Sequence, residues 1–198
     1  MGVLAFQGGV AEHLRTLENL GCEAVEVRDP STLDSLSALI LPGGESTTLI
    51  SLMNRWGLTR RIRELALDGF PVMGTCAGAV LLSGEIRERE HDVIQESLGV
   101  ARVRAIRNHY GRQVSSFVQD VEVEGLDRPF RGIFIRAPLL QPLSDDVRVL
   151  GKLGDEPVLL RQDNLWLLSF HPELTGDPAI HSMFLREHGL LHGKEKAC

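Results

Sequence analysis

Basic charge, paired cysteines and long apolar runs are all scarce in this 198-residue chain. Lys and Arg number 21 against 27 Asp and Glu, a formal net charge of −6 with the histidines neutral. That balance argues against nucleic-acid binding, which needs a concentrated basic surface. The one local basic cluster is Arg102, Arg104, Arg107 and Arg112, and Arg102 and Arg104 read as the solvated face of a strand pair. Three cysteines, an odd number at irregular spacing, make no disulfide framework, so a reducing compartment is expected. No run reaches the length of a membrane span, and the start, Met1 to Gln7, lacks the basic lead of a signal peptide. The expectation is a soluble cytoplasmic protein that binds neither membrane nor nucleic acid. Repeats and low-complexity segments are absent too, apart from a polar tail from Lys194 to Cys198 that should be frayed.

What is present suits one domain over residues 1–198, since 43% apolar residues suffice for a full core without staples. Gly2 to Phe6 reads as a strand, and Val10, Leu14 and Leu17 space out a helix closed by Gly21. Cys22 to Val27 and Ser37 to Leu41 are the next strands. Helices carrying Leu49, Leu52, Met53 and Trp56, then Leu58 to Leu67, precede an apolar run at Pro71. Strands alternating with helices imply a parallel sheet covered on both faces. After a charged, weakly periodic stretch from Gly84 to Ser97, the second half is strand-like at Val100 to Ile106, Val114 to Val123, Ile133 to Ile135, Val147 to Leu150, Val158 to Arg161 and Leu165 to Phe170. Little room for helices between them predicts antiparallel pairs added to the edge or end of the sheet. Asp177-Pro178 reads as a cap and first residue of a last helix that ends at Gly189. The fold class expected is therefore α/β: a mainly parallel sheet flanked by helices in a flavodoxin-like, three-layer arrangement, with antiparallel strands added in the second half.

The run from Pro71 to Leu82 enters Gly74-Thr75-Cys76-Ala77-Gly78 as a strand and leaves as an Ala-rich helix. A lone cysteine is more often a small buried hydrophobe, and Cys22 and Cys198 have plain contexts that fit that reading. Cys76 differs because a strand-to-helix turn holds its side chain at the carboxyl end of a sheet, with the free N–H groups of the helix start pointing back. The positive helix end favours thiolate, the attacking species.

Ligands of open parallel sheets sit beyond the carboxyl ends of the strands. Gly43-Gly44-Glu45-Ser46, Cys76 and Phe170-His171-Pro172-Glu173 all reach that edge. Pro172 disfavours a helical His171, so an extended start is expected, with alternation putting His171 and Glu173 on one side. A carboxylate beside an imidazole fixes its tautomer and supports the imidazolium, the orienting role in a Cys-His-acid triad. The other histidines, His13, His91, His109, His181, His188 and His192, have no pairing that suggests a metal, and no metal or cofactor is expected. Pro42-Gly43-Gly44 lacks the Lys of a phosphate-binding P-loop.

Together these segments resemble the triad-type (class I) glutamine amidotransferases and, more narrowly, the glutaminase subunits of pyridoxal 5'-phosphate synthases. The resemblance covers nearly the whole chain: Phe6-Gln7-Gly8 with Glu12-His13, Leu41 to Thr48, Gly74 to Gly78, Gly111-Arg112-Gln113, Phe134 to Pro138 and Ser169 to Thr175. It implies hydrolysis of L-glutamine to glutamate and ammonia through a Cys thioester. Cys76 would be the nucleophile, His171 its proton partner and Glu173 the orienter. The N–H groups of Gly44 and Ala77 would hold the oxyanion, and Gly44, Glu45, Ser46, Arg107, Ile135 and Arg136 would grip the substrate. The partner implied is a synthase subunit that receives the ammonia in a hetero-oligomer and, by docking, activates the glutaminase. Two other readings remain: a γ-glutamyl hydrolase or other amidotransferase, the hydrolase if secreted wanting a signal peptide, and a silent interaction module, against which the intact Cys76, His171 and Glu173 argue.

Overall fold

The computed structural model describes residues 1–88, 95–110 and 116–191. Strand β1 (Gly2–Leu4) leads to helix α1 (Val10–Asn19), strand β2 (Val25–Val27), a 3-10 helix (Pro30–Ser35) and strand β3 (Leu39–Leu41). Then come α2 (Ser46–Arg55), α3 (Leu58–Leu67), β4 (Val72–Thr75) and α4 (Ala77–Leu82). The second half supplies β5 (Ser83–Glu88), β6 (Ala101–Arg107), β7 (Ser116–Val123), β8 (Phe130–Ile135) and β9 (Leu139–Pro142). It closes with β10 (Arg148–Leu153), β11 (Glu156–Gln162), β12 (Leu165–Leu168), a 3-10 turn (Pro172–Leu174) and α5 (Ala179–Glu187).

A nine-stranded sheet has the order β2-β1-β3-β4-β12-β11-β10-β7-β8. From β2 to β12 neighbouring strands are parallel, and from β12 to β8 every pairing is antiparallel. The expected α/β class and the antiparallel extension are both there. The parallel strands β1, β3, β4 and β12 are buried at every position because both faces are covered, and successive side chains divide between two cores; the edge strand β2 buries Val27 alone. Leu4, Leu39, Leu41, Leu165 and Leu167 face Leu49, Met53, Ile62 and Val80 of α2, α3 and α4. Val3, Ile40, Met73, Trp166 and Leu168 face Leu17 of α1 and Phe184 of α5. The strand order reverses at β1, so the segments after β1 and β3 diverge and open a crevice at the carboxyl edge.

Several boundaries depart from expectation. Strands β5 and β9 were not expected, and with β6 they form a separate sheet, β5-β6-β9, in which β5 and β6 run parallel. Strand β5 reads SGEIRE, and Ser83 is its one buried residue, so it carries no apolar alternation to read; an Arg104–Glu85 ion pair helps to hold it. Cys22 lies before β2, packed at the rim of the second core. Helix α5 starts one residue later than expected, at Ala179, whose N–H still donates to Asp177 Oδ1. Arg102 and Arg104 are solvent-facing partners of Asp146 and Glu85, as the strand-face reading had it. His91, the Gly111-Arg112-Gln113 motif, Val114, His192 and the 194–198 tail with Cys198 lie outside the described residues. No helix among the described residues is long and apolar enough to cross a membrane.

Candidate active site

Cys76 stands between β4 and α4 with φ 49° and ψ −103°, a backbone that a non-glycine residue rarely adopts. The strain is held from both sides: Cys76 N–H donates to Leu168 O at 2.7 Å, and its carbonyl accepts from Val80 N–H at 3.1 Å. The sharp turn also needs close helix-to-strand contact. A Cβ on Gly78 would lie 2.0 Å from the carbonyl oxygen of Leu41 in β3, so only glycine fits there.

The turn opens into a cavity of about 160 Å³ at the carboxyl edge of the sheet. Gly44, Glu45, Ser46, Cys76, Ala77, Arg107, Ile135, Arg136 and His171 all line it. Thus every site residue named from the sequence reaches the cavity except Glu173, which lies behind His171. Cys76 Sγ is 3.6 Å from the carbonyl oxygen of Ile135. Among the described residues, three of the four non-glycine residues with positive φ, Cys76, Asn108 and Arg136, line this one cavity, a concentration of strain typical of functional sites.

His171 Nδ1 and Glu173 Oε1 are 2.8 Å apart, with both residues buried. The pairing expected from sequence is present, but strand alternation does not produce it. His171 is extended, at φ −107° and ψ 89°, and Pro172–Leu174 then turn as a 3-10 helix that swings Glu173 back under the imidazole. Burial disfavours the His171 cation, yet hydrogen bonds with Cys76 and Glu173, and their charges, outweigh it and push the imidazole up to about 10. At neutral pH it is an imidazolium between a sulfur and a carboxylate.

On the opposite wall Glu45 caps α2. Its carboxylate accepts from the N–H groups of Thr47 at 3.2 Å and Thr48 at 2.8 Å and from both hydroxyls. Burial raises its pKa somewhat, but these bonds prevail and lower it to about 2. Arg107, the last residue of β6, donates to Glu45 Oε1 at 3.3 Å and to Gln95 Oε1 at 2.8 Å. The guanidinium is thus aimed across the cavity mouth by two acceptors, beside Ser46, whose hydroxyl donates to Gln95 at 3.2 Å.

Sequence reasoning missed Val80, Asn108 and Pro138 as lining residues and Gln95 as the support of Arg107. Gln95 lies within the charged stretch, where no regular apolar pattern marks it. Also missed were His13 and His181, which meet behind Glu173; each shares a buried helix face, His13 with Leu17 and His181 with Phe184 and Leu185. Among the described residues no group of three or more His, Cys, Asp or Glu side chains is placed to hold a metal ion.

Comparison with known proteins points to one family. A model of the SNO glutamine amidotransferase family matches residues 3–189. The chain is 46% identical over 186 residues to the pyridoxal 5'-phosphate synthase subunit PdxT of Fervidobacterium nodosum, covering 94% of this chain and 95% of that protein. The PdxT of Thermus thermophilus is 49% identical over 191 residues, with 96% and 98% covered. A crystal structure described as a glutamine amidotransferase superposes with a TM-score of 0.88 at 48% identity, over 95% of this chain and 98% of that one. The structure of PurLQS from Thermotoga maritima, at 19% identity and a TM-score of 0.68, shares the fold.

Proposed function

Because this chain belongs to the SNO glutamine amidotransferase family, we propose that it hydrolyses L-glutamine to glutamate and ammonia as the glutaminase subunit of a pyridoxal 5'-phosphate synthase, in one domain spanning residues 1–198. The observation that carries this reading is the meeting of Cys76 and His171 at one cavity, with Glu173 behind His171 and the imidazole held as a cation.

The Cys76 thiolate attacks the side-chain amide carbon, and the electron pair of the C=O moves to oxygen. Backbone N–H groups of Gly44 and Ala77 receive that oxyanion. As the C–N bond breaks, the His171 proton goes to the departing nitrogen, which leaves as ammonia. Neutral His171 then takes a proton from water, whose oxygen attacks the thioester; collapse of the second tetrahedral species frees glutamate and regenerates the thiolate–imidazolium pair. Arg107, Ile135 and Arg136 grip the substrate with Gly44, Glu45 and Ser46; the planar fork of an arginine matches a carboxylate.

Ammonia passes to a synthase subunit, and docking of that subunit activates the glutaminase. The Gly43–Gly44 peptide favours such control. Gly44 has φ 141°, open to glycine alone, and the Gly43 carbonyl oxygen abuts Gly8, where a Cβ would approach to 1.9 Å. The test is glutamate release by the purified chain with and without the synthase subunit. Release that depends on Cys76 supports the reading; none in either condition refutes it.

A further inference from the structure

Behind the cavity, three buried side chains continue inward from His171. Glu173 Oε1 is occupied by His171, while Oε2 has no hydrogen-bond partner among the described residues. The polar atom that faces Oε2 is His13 Nε2, at 3.4 Å. The same Nε2 is 3.4 Å from the hydroxyl of Thr75, one residue before Cys76. On the other side of the ring, His13 Nδ1 is 2.9 Å from His181 Nε2. His13 and His181 have 0% exposure, and they come from α1 and α5, far apart in sequence.

We propose that His13 and His181 are positioning residues for the glutaminase reaction, a one-way chain of N–H donors running from His181 Nε2 to His13 Nδ1 and from His13 Nε2 to Glu173 Oε2. The inference rests on the triad reading above. Two arguments fix the direction. If His13 Nδ1 carried the proton instead, its Nε2 lone pair would face a carboxylate oxygen, a repulsive contact in a dry interior. In that arrangement His181 would also have to carry its proton on Nδ1, which has no partner among the described residues. An unpaired buried N–H is costlier than an under-used lone pair.

Both rings act as neutral donors. Burial, then the neighbouring His181 and His171, holds His13 well below the ordinary histidine value, and burial pushes His181 down to about 4. The reaction supplies the need for them. When His171 gives its proton to ammonia, Glu173 loses its cationic partner while still buried, and an unpaired buried carboxylate is unfavourable. His13 Nε2–H, between Thr75 and Glu173 at equal distances, closes on Oε2 at that moment and keeps the carboxylate aligned on His171 Nδ1.

The test uses the full chain with its synthase subunit. In His13→Leu, kcat for glutamate release should fall about tenfold to a hundredfold, the worth of a hydrogen bond to a charged group, with KM nearly unchanged. His13→Gln, whose amide N–H reaches the position of Nε2, should recover most of the loss. His181→Phe should fall less, because it removes only the donor that sets the tautomer of His13. Nitrogen-15 NMR of the unmutated chain should show both rings neutral and protonated on Nε2, a readout that needs no variant to fold. A Nδ1–H tautomer of His13, an unchanged kcat in folded His13→Leu, or equal losses in the Leu and Gln variants would overturn the relay. With Cys76→Ala as the blank, absence of release from the unmutated complex would take down the triad reading with it; release that ignores His13 removes the relay alone.

Discussion

The His171 ring occupies space that only a glycine at position 43 leaves free: a Cβ on Gly43 would lie 2.3 Å from His171 Cε1 and 3.1 Å from Nδ1. The loop after β3 therefore sets the position of a residue on the loop after β12. Gly43→Ala should displace the imidazole from the line between Cys76 and Glu173. We expect kcat to fall by at least about tenfold, since misplacing a proton-transfer group by an ångström is that costly, with the melting temperature changed by only a few degrees. A full-activity Gly43→Ala enzyme would show that the ring has room to spare.

Cys76→Ala should abolish glutamate release while the chain stays folded, because losing the nucleophile of a triad removes several orders of magnitude in rate. Cys22, half-buried at the rim of the second core, should tolerate replacement by Ser with activity retained. Labelling by a glutamine-like electrophile, followed by peptide mapping, reads both: modification should fall on Cys76.

The site was largely legible because its parts lie where the chain changes structure, and those changes carry local chemistry. Gly74-Thr75-Cys76-Ala77-Gly78 needs glycine to let α4 pack on β3, and His171-Pro172-Glu173 needs proline to start its turn, so both write their geometry into residue type. The pairing of His171 with Glu173 was expected from strand alternation, whereas the structure reaches it through an extended His171 followed by the Pro172–Leu174 3-10 turn. What could not be read depends on distant segments. His13 and His181 meet only because α1 and α5 cover the same sheet face, and neither helix carries a mark of the other. Strand β5 stayed hidden because its neighbours and ion pairs, not its own apolar pattern, hold it in place.

The raised pKa of His171 links the site to stability. A histidine lifted from 6.5 to about 10 on folding stabilises the native state fully below the unfolded value. That contribution is lost progressively as pH rises from about 6.5 through about 10. Cys76→Ala removes one of the groups that raise it, so the melting temperature of the variant should change less over this range than that of the unmutated chain. Parallel curves for the two proteins would mean that Cys76 does not support the imidazolium.

Arg107→Lys should raise KM for glutamine by about tenfold to a hundredfold, with a smaller effect on kcat, because a lysine cannot replace a forked hydrogen bond to a carboxylate. Steady-state kinetics in the presence of the synthase subunit separate the two parameters. A change confined to kcat would move Arg107 from binding the substrate to aligning the reacting amide.

A docking partner would reach the Gly44 N–H through the segment that follows β1. Gln7, on the segment after β1, grips Glu45 at both ends: its side-chain N–H donates to Glu45 O at 3.2 Å, and its Oε1 accepts from Glu45 N–H at 3.3 Å. The carbonyl of Gly43 rests against Gly8 on the same segment. In a trans peptide C=O and N–H point opposite ways, so whatever holds the Gly43 carbonyl toward Gly8 turns the Gly44 N–H away from it. A partner that moves or braces residues 5–9 would thereby bias the donor, and it can activate only by binding the competent orientation more tightly than the other. Losing one oxyanion donor costs roughly 3 kcal/mol, about a hundredfold in rate, which sets the stimulation expected on adding the synthase subunit. Gln7→Ala loosens the tether without removing the donor. It should lower the stimulated kcat by about tenfold, the order of one or two neutral hydrogen bonds, and leave KM nearly unchanged. Equal turnover with and without the synthase subunit would refute the switch, and a stimulated rate indifferent to Gln7 would show that docking reaches the Gly44 peptide by another route.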